Sequence, residues 1–186
     1  MTNEIWLLRH GETEWSRSGQ HTGRTDLPLT EVGQEQARKL RAALGGQQFD
    51  QVLTSPLRRA RETAELAGFS GAVPNEDLME WHYGDLEGRT SAEIGAEFPG
   101  WTIWTGPVPN GETLDQVAAR ADRVLSNLPS GRVAIFAHGH FLRVLATCWL
   151  GVKPDKGRLL SLSTASLSVL GWERQTRALH SWNITP

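Results

Sequence analysis

Short apolar runs alternate along the chain with longer stretches that carry helix signals. The apolar runs predict β-strands at about residues 5–8, 50–55, 73–79, 132–137, 161–172 and 177–184. Helix signals such as the N-cap residue Thr30 and the helix-ending Gly68 predict helices at about residues 30–44, 56–67, 113–128 and 140–150. This alternation predicts an α/β fold, a three-layer sandwich in which helices flank both faces of a mostly parallel sheet.

Two stretches lack a regular pattern. The loop at residues 11–29 is polar and longer than typical connections, which indicates a functional loop. Residues 81–111 are rich in Gly, Pro and Trp, and they predict a cap-like excursion with one short helix near residues 91–98. The expected organisation is a single domain over residues 1–186 that carries this small insertion.

Composition narrows the class of protein. Hydrophobic residues make up 39% of the 186 residues and charged residues 22%, as expected of a globular chain, and the net charge of −2 gives no basic footprint for nucleic acid. No signal peptide or membrane-spanning run is visible, so we expect a cytoplasmic protein with no membrane partner. The single cysteine, Cys148, excludes an intrachain disulfide and is predicted to pack in the core.

Candidate chemistry is concentrated where predicted strands end. Two strands end in a histidine followed by glycine, at His10-Gly11 and His138-Gly139, and Arg9 precedes the first of these histidines. The strand at residues 50–55 leads into a helix that begins with arginines, and Glu80 follows the third extended segment. Strand ends of an α/β sheet face the crevice that binds ligands. Imidazoles, guanidinium groups and a carboxyl group there suit phosphoryl transfer to a histidine nitrogen.

The residues that carry this chemistry also match family motifs. Arg9-His10-Gly11-Glu12-Thr13, the L-x-E-x-x-x-G-x-x-E-G pattern from Leu78 to Gly88, and residues 137–140 resemble the motifs of the histidine phosphatase, or phosphoglycerate-mutase-like, superfamily. The resemblance covers nearly the whole chain and is greatest to the branch with acid-phosphatase-like and sedoheptulose-bisphosphatase-like members. It implies metal-independent hydrolysis of a small phosphate ester through a phosphohistidine, with no cofactor.

The resemblance also implies roles for individual residues. His10 corresponds to the nucleophile and Glu80 to the proton donor, while Arg9, Arg58 and His138 would hold the transferring phosphate. A wider set is expected to bind substrate: Ser16, Thr22, Gly23, Gly139, Trp81, His82 and Tyr83. We expect His21 and His140 to lie near the pocket. Whether Trp101 or Trp104 contacts the substrate is left open. Arg59 and Arg61 are expected to form surface salt bridges.

Two alternative functions are considered beside hydrolysis. Many phosphoglycerate mutases carry asparagine at the position of Ser16. The mutases also resemble one another in carrying arginine at that of Trp81 and basic residues in the insertion after the acid. Residues 90–111 contain no lysine or arginine, which favours a phosphatase over a mutase. A non-catalytic phosphate-binding module is disfavoured because the catalytic set is complete. His138-x-His140 has metal-ligand spacing, but no carboxylate cluster accompanies it, so no metal site is predicted.

Overall fold

A six-stranded mixed sheet lies at the centre of the fold, in a computed structural model that describes residues 4–186. Its strands are β1 (Glu4–Arg9), β2 (Gln51–Thr54), β3 (Val73–Pro74), β4 (Arg132–Ala137), β5 (Leu167–Glu173) and β6 (Thr176–Ile184). The helices are α1 (Glu14–Ser18), α2 (Glu31–Ala43), α3 (Arg58–Leu66), α4 (Ser91–Glu97), α5 (Leu114–Ser126) and α6 (Gly139–Leu150). The predicted α/β class is confirmed.

The strand order β3-β2-β4-β1-β5-β6 places the parallel strands together. β1 runs parallel to β4, and β2 runs parallel to both β4 and β3. β5 and β6 form an antiparallel hairpin that extends the sheet beyond β1. The carboxyl ends of β2, β4 and β1 therefore meet at one edge of the sheet.

Side chains of the sheet alternate between two apolar layers, as the two-residue period of a strand requires. On one face, Ile5 and Leu7 pack with residues of α5 and α6. On the other face, Leu8 and Phe136 pack with residues of α2 and α3. Each fully buried leucine or isoleucine contributes about 1.5–3 kcal/mol through apolar burial. The helices thus cover both faces, which is the predicted sandwich.

Three local predictions differ from the structure. The strand predicted at residues 161–172 begins only at Leu167, as β5. The segment predicted as a strand at residues 73–79 pairs with β2 only over Val73–Pro74 and then turns through a 3-10 helix at Glu76–Leu78. The loop at residues 11–29 contains the unpredicted α1, which begins because Thr13 and Ser16 form a reciprocal capping box. The 3-10 helix and α1 each begin with side-chain-to-backbone hydrogen bonds, from the Asp77 N–H to Asn75 over two residues and between Thr13 and Ser16 over three. Such short-range bonds are a weaker signal than apolar periodicity.

Residues 81–111 follow the predicted irregular course, with a 3-10 turn at Gly84–Leu86 and α4 as the helical pieces. The organisation of the whole chain as one domain stays a prediction. No helix within residues 4–186 has the length and apolar character needed to cross a membrane. Burial raises the pKa of Cys148 to about 12, which keeps its thiol protonated and unreactive at neutral pH.

The loop after β1 lies directly against α2. A Cβ atom at Gly33 would lie 2.1 Å from the Glu12 carbonyl oxygen, and one at Gly11 would lie 2.3 Å from the Gly33 carbonyl oxygen. The backbone of the loop packs directly on the backbone of α2, so neither glycine has room for a side chain. The contact fixes the position of the loop that follows His10.

We expect Gly33→Ala to destabilise the protein by about 1–3 kcal/mol, because the added methyl group collides with a backbone carbonyl. Gly95→Ala is the matched control, since Gly95 also lies within a helix and a Cβ atom there meets nothing within 4 Å. The control should be stabilised by about 0.5–1 kcal/mol through helix propensity. Urea unfolding measures both changes, and equal stability of the two variants would contradict the close approach.

Candidate active site

A cleft of about 200 Å³ opens at the sheet edge where the parallel strands end. Its walls come from the strand ends, the 11–29 loop, the start of α6 and the residues around Glu80. The residues that line the cleft are Arg9, His10, Trp15, Ser16, Gly19, Gln20, His21, Thr22, Glu80, Tyr83, Ser91, Gly139, His140, Arg143 and Leu162. Three of the five predicted catalytic residues, Arg9, His10 and Glu80, are among them.

His10 is held in one tautomer. Its Nδ1 lies 2.7 Å from the carbonyl oxygen of Gly11, an acceptor only, so Nδ1 carries the proton. Desolvation lowers the pKa of His10 well below its ordinary value, and the positive charges of Arg59 and Arg9 lower it further. The neutral imidazole therefore has its lone pair on Nε2, the atom required of a nucleophile.

Arg9 directs a guanidinium group into the cleft from the last position of β1. One of its terminal nitrogens donates to the carbonyl oxygen of Leu162, whereas its buried Nε has no hydrogen-bond partner among residues 4–186. Gly139 makes room for this side chain, since a Cβ atom there would lie 3.3 Å from Arg9 Nε. A buried donor without a partner is costly, and an oxyanion in the cleft would satisfy it.

Glu80 is 5% exposed, and its carboxyl group is oriented by three backbone N–H groups. Oε1 accepts from Trp81 and Phe141, both at 2.9 Å, and Oε2 accepts from His140 at 3.0 Å. Two of these donors belong to the first turn of α6, where helical N–H groups have no partner within the helix. The carboxyl group is thus fixed across the cleft from β1.

The placement predicted for Arg58 is wrong. Its side chain is 54% exposed and pairs with Glu62 at 2.6 Å on the surface of α3. The next residue, Arg59, is fully buried and donates through Nε to His138 Nδ1 at 3.1 Å. Successive residues differ by about 100° around a helix, so only one of two adjacent arginines can face the interior. The expectation of a surface salt bridge for Arg59 is wrong for the same reason.

Arg59 also holds the 11–29 loop. Its Nη1 donates to the carbonyl oxygen of Thr25 at 2.9 Å, and its Nη2 donates to those of Thr22 and Gly23 at 3.1 and 2.9 Å. Side chains at positions 59, 60, 63 and 64 form the buried stripe of α3. That stripe is a signal in the sequence, since Ala60, Thr63 and Ala64 are the small residues of the helix.

His138 lies behind His10 and does not line the cleft. It is fully buried, its ring centre is 5.2 Å from that of His10, and both ring nitrogens have protein partners. Nδ1 accepts from Arg59, so Nε2 carries the proton and donates to Ser55 Oγ at 2.8 Å. Desolvation lowers the pKa of His138 well below its ordinary value, with a further contribution from Arg59. In this structure His138 orients Arg59. Because the ring is buried and both of its nitrogens have partners, it has no free nitrogen for the predicted contact with phosphate.

Four of the predicted substrate-binding residues line the cleft, namely Ser16, Thr22, Tyr83 and Gly139. The Ser16 hydroxyl takes part in the α1 cap, accepting from the Thr13 N–H at 2.8 Å. The Tyr83 hydroxyl lies 2.6 Å from His140 Nδ1, which fixes the ring of His140 against the cleft wall.

The other three, Gly23, Trp81 and His82, lie outside the cleft. The Gly23 N–H donates to Glu87 at 2.9 Å, so the glycine serves the loop. Trp81 is 1% exposed, because a large apolar ring is stabilised by burial. Its indole N–H donates to the carbonyl oxygen of Glu112 at 2.7 Å. The His82 N–H donates to the Glu112 carboxylate at 2.9 Å. The prediction that these three residues line the substrate pocket is therefore wrong.

Arg143 is the charged residue of the cleft that sequence reasoning missed. It lies four residues after Gly139 on α6, so helical spacing brings both to the same face. Its guanidinium lies over the Trp104 ring at 4.6 Å, and its Nε donates to the Gly157 carbonyl at 2.9 Å. The cleft therefore has a cation in its wall that residues 90–111 do not supply. His21 and His140 line the cleft as expected, with their rings stacked 6.2 Å apart.

Within the described part of the chain, residues 4–186, no group of three or more His, Cys, Asp or Glu side chains is placed to hold a metal ion. The spacing of His138 and His140 does not bring a third such ligand beside them. Positive charge in the cleft comes from its guanidinium groups.

Comparison with known proteins identifies relatives of this chain. A 189-residue alignment, over 98% of this chain and 93% of the relative, shows 38% identity to an acid phosphatase of Mycobacterium tuberculosis. A sedoheptulose 1,7-bisphosphatase of Saccharomyces cerevisiae is 36% identical over 84% of this chain and 70% of its own length. A probable phosphoglycerate mutase of Photorhabdus laumondii is 32% identical over 96% of this chain and 89% of its own length.

The fold gives the same result. A solved structure of an open reading frame from Mycobacterium tuberculosis superimposes with a TM-score of 0.93 and 38% identity, covering 98% of each chain. The family model described as histidine phosphatase superfamily (branch 1) matches residues 5–185. The resemblance seen in the sequence motifs is confirmed, and this chain belongs to the histidine phosphatase superfamily.

Proposed function

We propose that this enzyme hydrolyses phosphomonoesters of small metabolites through a phosphohistidine on His10, without a metal ion. The observation that carries the proposal is the tautomer of His10, whose Nδ1–H bond to the Gly11 carbonyl leaves the Nε2 lone pair available beside Arg9 and Glu80. A neutral, fixed imidazole next to cationic groups suits attack on a phosphorus atom.

In the first step, Nε2 of His10 forms a bond to phosphorus while the bond from phosphorus to the ester oxygen breaks. Arg9 donates to the phosphoryl oxygens through its unpartnered Nε, and the buried charge of Arg59 lies behind His10. Glu80 transfers its proton to the departing oxygen.

In the second step, water attacks the phosphohistidine. The bond between phosphorus and nitrogen breaks, and its electron pair returns to Nε2 of His10. Glu80, now a carboxylate, takes the proton from the attacking water. The step releases inorganic phosphate and restores both residues.

Arg143 supports a narrower substrate class. It carries a positive charge in the wall of the cleft and is held in place by Trp104 and the Gly157 carbonyl. Such a cation would bind a second anionic group on the substrate. A relative named as a bisphosphatase fits this idea, and we propose phosphate esters with a second phosphate or carboxylate as substrates.

Arg143 also keeps a phosphoglycerate mutase as the second candidate function. The lack of basic residues in 90–111 favoured hydrolysis, but α6 supplies a cation that can hold a substrate carboxylate. The two functions differ in the fate of the phosphate. Release of phosphate from a panel of sugar phosphates, phosphoglycerates and nucleotides supports hydrolysis, whereas interconversion of 2- and 3-phosphoglycerate primed by the 2,3-bisphosphate supports the mutase.

We expect His10→Ala to abolish turnover and the covalent intermediate, because it removes the nitrogen that forms the bond to phosphorus. Brief reaction of the wild type with a ³²P-labelled ester, followed by alkaline quenching, should trap an acid-labile phosphoprotein that the variant lacks. A variant that retained turnover, or a label stable to acid, would exclude the phosphohistidine.

We expect Arg59→Met to lower kcat/KM at least about 100-fold, because the charge and the fixed loop geometry that support His10 are lost. The acid limb of its pH profile should move to higher pH, since Arg59 lowers the pKa of His10 and its removal makes the imidazole easier to protonate. Arg58→Met is the matched control and should stay within about threefold of the wild type, as expected for an exposed ion pair. The reverse order of the two variants would restore Arg58 to the site.

We expect Arg143→Met to raise KM about 10–100-fold for esters that carry a second anionic group, the usual value of a charge-assisted hydrogen bond. p-Nitrophenyl phosphate, which has one anionic group, is the internal control and should change little. Steady-state kinetics on both esters measures the difference, and an equal effect on both would contradict a second anion site.

A further inference from the structure

Glu80 lies on a segment with little regular structure. Residues 77–82, here called the acid segment, begin within the 3-10 helix at Glu76–Leu78 that comes after the two-residue strand β3. A proton donor must be held within a fraction of an ångström of its working position. The geometry of the acid segment therefore has to come from contacts outside it.

One buried side chain of α5 provides those contacts. Arg120 is 7% exposed, and its Nη1 donates to the carbonyl oxygens of Asp77 and Met79 at 2.7 and 2.8 Å. Its Nη2 lies 3.4 Å from the carbonyl oxygen of Glu80 itself. A single guanidinium group thus holds three main-chain carbonyls on and beside the proton donor.

The remaining donors of Arg120 bind Glu112. Nε and Nη2 donate to the two carboxylate oxygens of Glu112 at 2.7 and 2.8 Å, so all five N–H groups of the arginine are used. The same carboxylate accepts from the N–H of His82 at 2.9 Å. Arg120 and Glu112 therefore bind the acid segment at both ends, one through its carbonyls and the other through an N–H group.

Arg120 also contacts the first turn of α6, which binds the Glu80 carboxyl group. The guanidinium carbon of Arg120 lies 5.0 Å from the centre of the Phe141 ring, and the N–H of Phe141 donates to the Glu80 carboxylate. Glu80 is thus fixed at its main chain by Arg120 and at its side chain by the first turn of α6, and Arg120 packs against both. Neither Arg120 nor Glu112 is among the residues that line the cleft, so neither is placed to contact a substrate bound there.

We propose that Arg120, held by Glu112, is a positioning residue that places Glu80 for proton transfer to the leaving oxygen. The inference rests on the proposed function, in which Glu80 is the general acid. Loss of Arg120 would leave the carboxyl group present but displaced. The rate of the first chemical step should then fall most for esters whose leaving oxygen needs a proton.

The test compares two leaving groups in the first chemical step. Rapid-mixing measurements follow phosphohistidine formation from an alkyl phosphate, whose alkoxide needs a proton, and from p-nitrophenyl phosphate, whose phenolate leaves as the anion. We expect Arg120→Met to slow the alkyl ester about 10–100-fold and the nitrophenyl ester less than about threefold. An equal loss on both esters, or no loss on either, would overturn the proposal.

Arg123→Met is the matched control. Arg123 lies on the same helix and binds the Asp77 carboxylate at 2.6 Å, but it is exposed and contacts no carbonyl of the acid segment. It should leave both rates unchanged. A leaving-group preference in Arg123→Met as large as that in Arg120→Met would mean that any contact to the segment suffices, and it would overturn the specific role of Arg120.

Glu80→Gln, alone and combined with Arg120→Met, separates this inference from the proposed function. If both act through the same proton, the double variant should react with the alkyl ester no more slowly than Glu80→Gln alone. Additive losses would overturn the positioning role while leaving Glu80 as the acid. Equal loss on both esters in Glu80→Gln itself would overturn the proposed function and the inference with it.

A variant with conserved charge covers the case in which Arg120→Met does not fold. Arg120→Lys keeps the ion pair with Glu112 but has only three donors and no fork geometry. We expect a folded protein, verified by its thermal unfolding, with an intermediate leaving-group preference. A folded Arg120→Lys variant with wild-type rates on both esters would overturn the proposal.

Discussion

The parallel register of β2, β4 and β1 is the constraint on which the rest of the structure depends. These three neighbouring strands run in one direction, so Ser55, His138 and His10 follow their carboxyl ends at a single edge of the sheet. Apolar burial on both faces maintains that register, because a slip of one residue would exchange the side chains between the two layers. The chemistry of the cleft is thus aligned by the same packing that stabilises the fold.

Buried charge determines what the aligned residues can do. Arg9 and Arg59 lie beside two histidines, and desolvation together with these charges lowers the pKa of His10 and of His138. A protonated imidazole would be an unpaired charge among cations, so both rings stay neutral. The same positive region suits a phosphate dianion. The charges of Arg59 and Arg9, which add to desolvation in excluding the proton from His10, would also attract a phosphate ester.

Much of the site follows from the sequence because its residues adjoin strand ends. His10, Arg9 and Gly139 lie next to strands that apolar runs identify, and Glu80 lies in a motif with fixed spacing. The choice between Arg58 and Arg59 did not follow, because a boundary error of one residue turns a helix by about 100°. Trp81 and His82 were misplaced because the irregular acid segment has no period from which to predict the direction of a side chain.

The sequence by itself determined the α/β class, the superfamily and three residues of the cleft, Arg9, His10 and Glu80. These rest on local signals, namely apolar periodicity and short motifs. The tertiary structure alone decided the contacts between segments distant in sequence: the Arg59 bonds to the 11–29 loop, the Arg120 bonds to the acid segment, and the place of Arg143 in the cleft. Each depends on which carbonyl oxygens accept hydrogen bonds from a long arginine side chain. Many acceptors lie within reach of such a side chain, and only the packed backbone selects among them.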